Sequence, residues 1–205
     1  MRAFGFFLAA CALTLAAPAD AARVTDHGDL AIDIDAPGTS VCHYSDRGPV
    51  DAAACTPQER VTFSNLSLLE PHAFAALVIH FHAWQASVVV TRSAPLHSMT
   101  PALVTQDLAE YARGMRDKMA GTNVRIAEAP RLVQAANGLQ VIVSSIHNPA
   151  QKIVTRALEI RAAGATYRVL FSGAEDHAAE VTALSDRALR TVVARRAPTI
   201  AEDRH

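Results

Sequence analysis

Between Gly121 and Phe171 the chain runs through three or four β-patterned segments joined by connections too short for anything but antiparallel pairing. Val124 to Ala127, with Leu132 to Gln134 as a continuation, Leu139 to Ser144, Lys152 to Arg161 and Thr166 to Phe171 have the alternation or β-branched content of strands. Asn137-Gly138 marks a tight turn, His147-Asn148-Pro149 a second, and the Ala162 to Ala165 stretch AAGA a third. A parallel crossover needs a dozen or more residues, usually with a helix, so this stretch reads as an antiparallel meander.

Apolar periodicity extends the pattern to both sides. Upstream, Leu30, Ile32 and Ile34 alternate with Ala31 and Asp33 as in a half-buried strand that stops at Pro37-Gly38. Val61, Phe63 and Asn65 against Thr62 and Ser64 predict a short strand, and Leu77 to Trp84 and Ser87 to Thr91 are strand-like as two strands or one bent one. The period then lengthens: Val104, Leu108, Tyr111, Met115 and Met119 make one stripe of a helix over Thr100 to Met119. Thr100 suits its N-cap, Pro101 its first position and Gly121 its stop. A second helix is expected over Glu175 to Val193, with Ala178, Val181, Leu184, Ala188 and Val192 inward. In both helices the basic residues gather toward the C-terminal end, where the helix dipole favours them. Together these features predict an α+β protein with an antiparallel sheet packed by two main helices. Periodicity alone does not distribute the helices between the two sheet faces.

The first 22 residues read as a cleaved secretory signal peptide, with Arg2, an apolar run from Phe4 to Ala17 and the small-x-small end Ala19-Asp20-Ala21. The expected organisation is this leader, one α+β domain over residues 23–197 and a flexible tail over 198–205. Periplasmic or extracellular location follows. The alternative is a lipid anchor at Cys11, which follows the small residues of LAAC. No later segment is apolar over the roughly 20 residues needed for a spanning helix. A net charge of −1 offers no electrostatic reason for nucleic acid as a partner. In an oxidising compartment Cys42 and Cys55 are expected to pair, pinning the polar, turn-rich segment between them as a surface excursion. Their spacing lacks the C-x-x-C pattern of redox-active pairs.

Candidate chemistry is sparse. If Leu77 to Trp84 is a strand, His80 and His82 leave the same face and have the geometry to hold zinc or copper. His43, His72, His97 or nearby carboxylates would have to complete such a site. Ser144, Ser145 and His147 invite a hydrolase reading with Asp176 or His177 as remote partners, but no G-x-S-x-G elbow places a nucleophile. Asp33, Asp35, Asp46 and Asp51 do not match a calcium loop. Asn65-Leu66-Ser67 fits a glycosylation acceptor, relevant only in a eukaryotic source. Arg156, Glu159 and Arg161 read as sheet-surface charges, with Arg156 on the face opposite the other two.

The order of elements resembles the PsbP/Mog1-like fold, which has secreted bacterial members of uncharacterised function. The opening strand GDLAIDIDAPG, the strand and proline ASVVVTRSAP, the helix TPALVTQDLAEYARGMRDKM, the turn Asn137-Gly138 into LQVIVSS and the closing ATYRVLFSGAEDHAAEVTALSDRALRTVV carry the resemblance. It implies an α/β/α sandwich and a role in binding or assembly. No functional residue carries over by motif, and the Cys42 to Cys55 segment and the His80/His82 stretch depart from the family's pattern. The resulting expectation is an exported, non-catalytic protein of the bacterial envelope that binds another envelope protein or a small ligand, without a cofactor. Its alternatives are a periplasmic metal-binding protein using His80 and His82, and an enzyme with dispersed catalytic residues.

Overall fold

Eight strands, every neighbouring pair antiparallel, form one sheet in a computed structural model that describes residues 22–26, 29–36, 39–45, 48–49, 54–66, 70, 72–94, 105–162 and 165–195. In chain order the strands are β1 Ala22–Asp26, β2 Leu30–Ile34, β3 Ser40–Ser45, β4 Gly48–Pro49, β5 Ala73–His80, β6 Gln85–Ser93, β7 Arg125–Gln134, β8 Gln140–Asn148, β9 Ile153–Arg161, β10 Thr166–Ala174 and β11 Val193–Ala194. Helices α1 Pro57–Ser64, α2 Thr105–Met119 and α3 Ala178–Thr191 accompany them among the described residues, and a 3-10 turn, Glu175–His177, leads into α3. The large sheet has the order β4-β3-β5-β6-β10-β9-β8-β7, and β1-β2-β11 makes a smaller one. The connection after β6 carries α2 to the far edge, and the meander β7 to β10 returns to pair with β6.

Alternation along the strands decides the layers. Leu77 and Ile79 of β5, Val88 and Val90 of β6, Val141 and Val143 of β8, Leu158 and Ile160 of β9 and Val169 and Phe171 of β10 share one buried face. Against it pack Leu30, Ile32 and Ile34 of β2 and Val181, Leu184 and Ala188 of α3. The opposite face is covered by α1, which buries Phe63 with Cys42, Cys55 and Ala76, and by α2 alongside it. Helices therefore lie on both faces, as the α/β/α expectation requires.

Several local readings change. Residues 57–64 are helical because Thr56 and Glu59 form a reciprocal capping box and Pro57 starts the first turn. The apparent β alternation there was misleading, since Phe63 is buried while Val61 is 62% exposed. Leu77 to Trp84 is not one strand: β5 stops at His80, and Phe81 N–H donates to the Trp84 carbonyl at 2.9 Å to close the turn to β6. Val124 to Ala127 and Leu132 to Gln134 belong to one irregular strand, β7, whose Pro130 is tolerated because β7 is a sheet edge. Cys42 and Cys55 are bonded, as expected, but they do not merely pin a surface excursion. Cys42 is wholly buried in β3 and Cys55 precedes α1, so the bond fastens that helix to the sheet. Arg156 and Glu159, read as surface charges, are 3% and 4% exposed. Of the expected leader over residues 1–22 only Ala22 is described, as the first residue of β1, and Cys11, Thr100, Pro101 and the expected tail over 198–205 lie outside the described residues.

Candidate functional site

The apolar stripe predicted on the first helix faces the sheet, yet Leu108, Tyr111, Met115 and Met119 are only half-buried. Beneath α2 lies a cavity of about 330 Å³ that keeps this stripe from closing on the sheet. Its floor follows from strand register. Ser144 pairs with Ala157, Ile146 with Thr155, and Ala157 with Leu170, so these side chains form adjacent rungs on one face. Small residues leave the space, above all Gly114 in the middle of α2. A Cβ built on Gly114 has nothing within 4 Å, although glycine there costs the helix about 1 kcal/mol relative to alanine.

One end of the cavity is charged. Arg168, in its lining, has Nη2 3.2 Å from Glu159 Oε2, and Arg161 Nη2 lies 3.8 Å from Glu159 Oε1. Burial pushes the Tyr111 hydroxyl up to about 12, with the Glu159 charge adding to the effect and Arg168 opposing it. Tyr111 is thus a protonated hydroxyl at neutral pH. Arg161 is largely buried, and none of its three guanidinium nitrogens has a hydrogen-bond acceptor among the described residues.

The candidates taken from the sequence are dispersed. Ser144 points into the cavity, whereas Ser145 lies on the other face and donates to Glu128 at 3.2 Å. His147 Nε2 is 2.7 Å from Glu175 Oε2, and His177 stacks on Trp84 with ring centroids 4.6 Å apart. Asp176 is exposed in the 3-10 turn. These residues are not assembled as nucleophile, base and orienting acid.

His80 and His82 do not leave one strand face as expected, because His82 sits in the turn after β5. His80 Nε2 faces Glu59 Oε1 at 3.0 Å, His43 is on the opposite face of β3, and His72 is exposed. Among the described residues no three His, Cys, Asp or Glu side chains are grouped to hold a metal ion. His97, Asp46, Asp51 and Ser67 lie outside those residues. The cavity itself was missed by sequence reasoning. Its one local signal is Gly114 interrupting an otherwise regular amphipathic helix.

No family model matches the chain, and no curated protein matches it in sequence. Among solved structures it is similar to cyanobacterial PsbP (CyanoP) from Synechocystis sp. PCC 6803, at 14% identity over 91% of this chain and 98% of that one, with a TM-score of 0.49. It is also similar to LpqN, involved in cell envelope biogenesis of Mycobacterium tuberculosis, at 11% identity over 84% of this chain and 88% of that one, with a TM-score of 0.43. The first of these belongs to the group that the order of elements resembles. At such identities and scores neither carries an argument about what this chain binds or does.

Proposed function

We propose that the protein is an exported, non-catalytic binding protein of the bacterial envelope, and that a small, mainly apolar ligand occupies the cavity between α2 and the sheet. The observation that carries this reading is the cavity under α2, where a side chain added at Gly114 would enter open space. Its size and mainly apolar lining, with a few polar groups at one end, are those of sites that take small molecules. Export is supported by the leader read in the sequence and agrees with the buried disulfide, since disulfides persist in oxidising compartments.

The neutral fluorescent probe N-phenyl-1-naphthylamine tests the cavity. Fluorescence enhancement is expected with the wild-type protein and is lost in Gly114→Phe, whose ring fills the space. Gly114→Ala keeps part of the binding and raises stability by about 1 kcal/mol through helix propensity. Equal probe binding by the wild type and a folded Gly114→Phe variant would overturn the reading.

A further inference from the structure

From the charges around this cavity we infer that its ligand is an amphiphile with an anionic head, a carboxylate or a phosphate, seated at the Arg168 end. The inference rests on the cavity being the binding site, and it adds the chemical class of what binds. Among the described residues the lining contains two cations, Lys118 and Arg168, and no carboxylate. Glu159 stands just behind it and has two guanidinium groups to neutralise, Arg168 at 3.2 Å and Arg161 at 3.8 Å. One carboxylate between two guanidiniums leaves an excess positive charge at this end of the cavity, where the Arg168 side chain is 45% exposed and open to an incoming head.

Arg161 lies behind the lining, beyond Glu159, and leaves that carboxylate's charge only partly available to Arg168. Arg161 Nε, Nη1 and Nη2 are buried and lack hydrogen-bond partners among the described residues, a costly arrangement for five donors. Elsewhere on the sheet the protein supplies such partners: the more deeply buried Arg156 places Nη1 on Glu128 and Nη2 on Asp186, and only its Nε is left without one among the described residues. Thr155, Ala157, Glu159 and Arg161 succeed one another on the same face of β9, so the floor runs from apolar contacts toward the guanidiniums. An apolar tail over Ala157 and Leu170 directs a head toward Arg168. A head with two or more acceptor oxygens meets planar guanidinium donors in their preferred geometry.

Calorimetric titration of the full chain with decanoate, decyl phosphate and 1-decanol separates head from tail. The expected result is that at least one anion binds tenfold or more tightly than decanol, with an affinity that falls as salt is added. Arg168→Met removes the cation at that end of the lining and is expected to lower anion affinity about tenfold while decanol is unaffected. Equal affinity of wild-type protein for decanol and both anions, with Gly114→Phe abolishing all three, overturns the anionic head and leaves the cavity reading standing. No binding of any of the three, together with no enhancement of the neutral probe, removes both. The wild-type comparison decides between these outcomes without any variant.

Discussion

At the scale of single residues, burial sets the behaviour of His43. Its register partner on β5 is Leu77, so the imidazole shares the core face, is 9% exposed, and titrates below its ordinary value of 6.5 because burial disfavours the cation. The unfolded chain therefore takes up this proton first as pH falls, and stability drops from about pH 6.5 downward, by at most about 1.4 kcal/mol per pH unit for one group. Urea unfolding at pH 5 and pH 7 is expected to show a larger loss in the wild type than in His43→Leu. An equal loss in both would assign the effect to another group. Glu128 acts at lower pH: burial raises its pKa, but Arg131 and Arg156 outweigh that and hold it below the ordinary carboxylate value of 4.5. Its contribution is present above that value and disappears as pH falls through the lower folded one. The sequence showed which residues can titrate; burial and partners, which set the direction, come from contacts between distant strands.

Among the elements, α1 shows how a weak local signal decides a structure when a crosslink supports it. The capping box of Thr56 and Glu59 was present in the sequence as T-P-Q-E, but the helix buries only Phe63 and has no strong apolar stripe to announce it. Tyr44 of β3 stacks on Phe63 with centroids 5.6 Å apart, and the Cys42–Cys55 bond keeps the two elements together. Replacing both cysteines by alanine is expected to cost about 3 kcal/mol, since the bond closes a loop of about 14 residues. Equilibrium unfolding in urea measures it as a lower midpoint, whereas an unchanged midpoint would mean that α1 docks without the crosslink. On the other face β10 and α3 meet at Gly173, where an added Cβ would stand 2.7 Å from Val181 Cγ2 and 3.1 Å from Trp84 Cζ3. Gly173→Ala forces the β10–α3 contact or Trp84 to shift, at a cost of about 1–3 kcal/mol. A fall in melting temperature with altered tryptophan fluorescence is the expected sign, and a variant as stable as the wild type would show that α3 adjusts freely.

For the molecule as a whole, the small sheet is tied to the large one through a buried polar contact. Tyr167 of β10 donates to Asp26 Oδ2 at 2.5 Å, and Arg92 of β6 reaches both Asp26 oxygens at 3.0 and 3.2 Å. Asp26→Asn weakens the acceptor for both and is expected to destabilise the fold by about 2 kcal/mol, read from urea unfolding; no change would show that the apolar layer alone joins the sheets. The sequence by itself determined the antiparallel meander and the two main helices, because alternation, helical period and short turns are local properties of consecutive residues. It also marked Cys42 and Cys55 as partners, since they are the only two cysteines after residue 22. Only the tertiary structure decided that helices cover both faces, that β1, β3 and α1 exist, that Arg156 is buried and paired, and that a cavity lies under α2. Each of these depends on residues far apart in the chain: Tyr111, Ser144, Thr155 and Arg168 surround one space only after β7 to β10 have folded back beneath the helix.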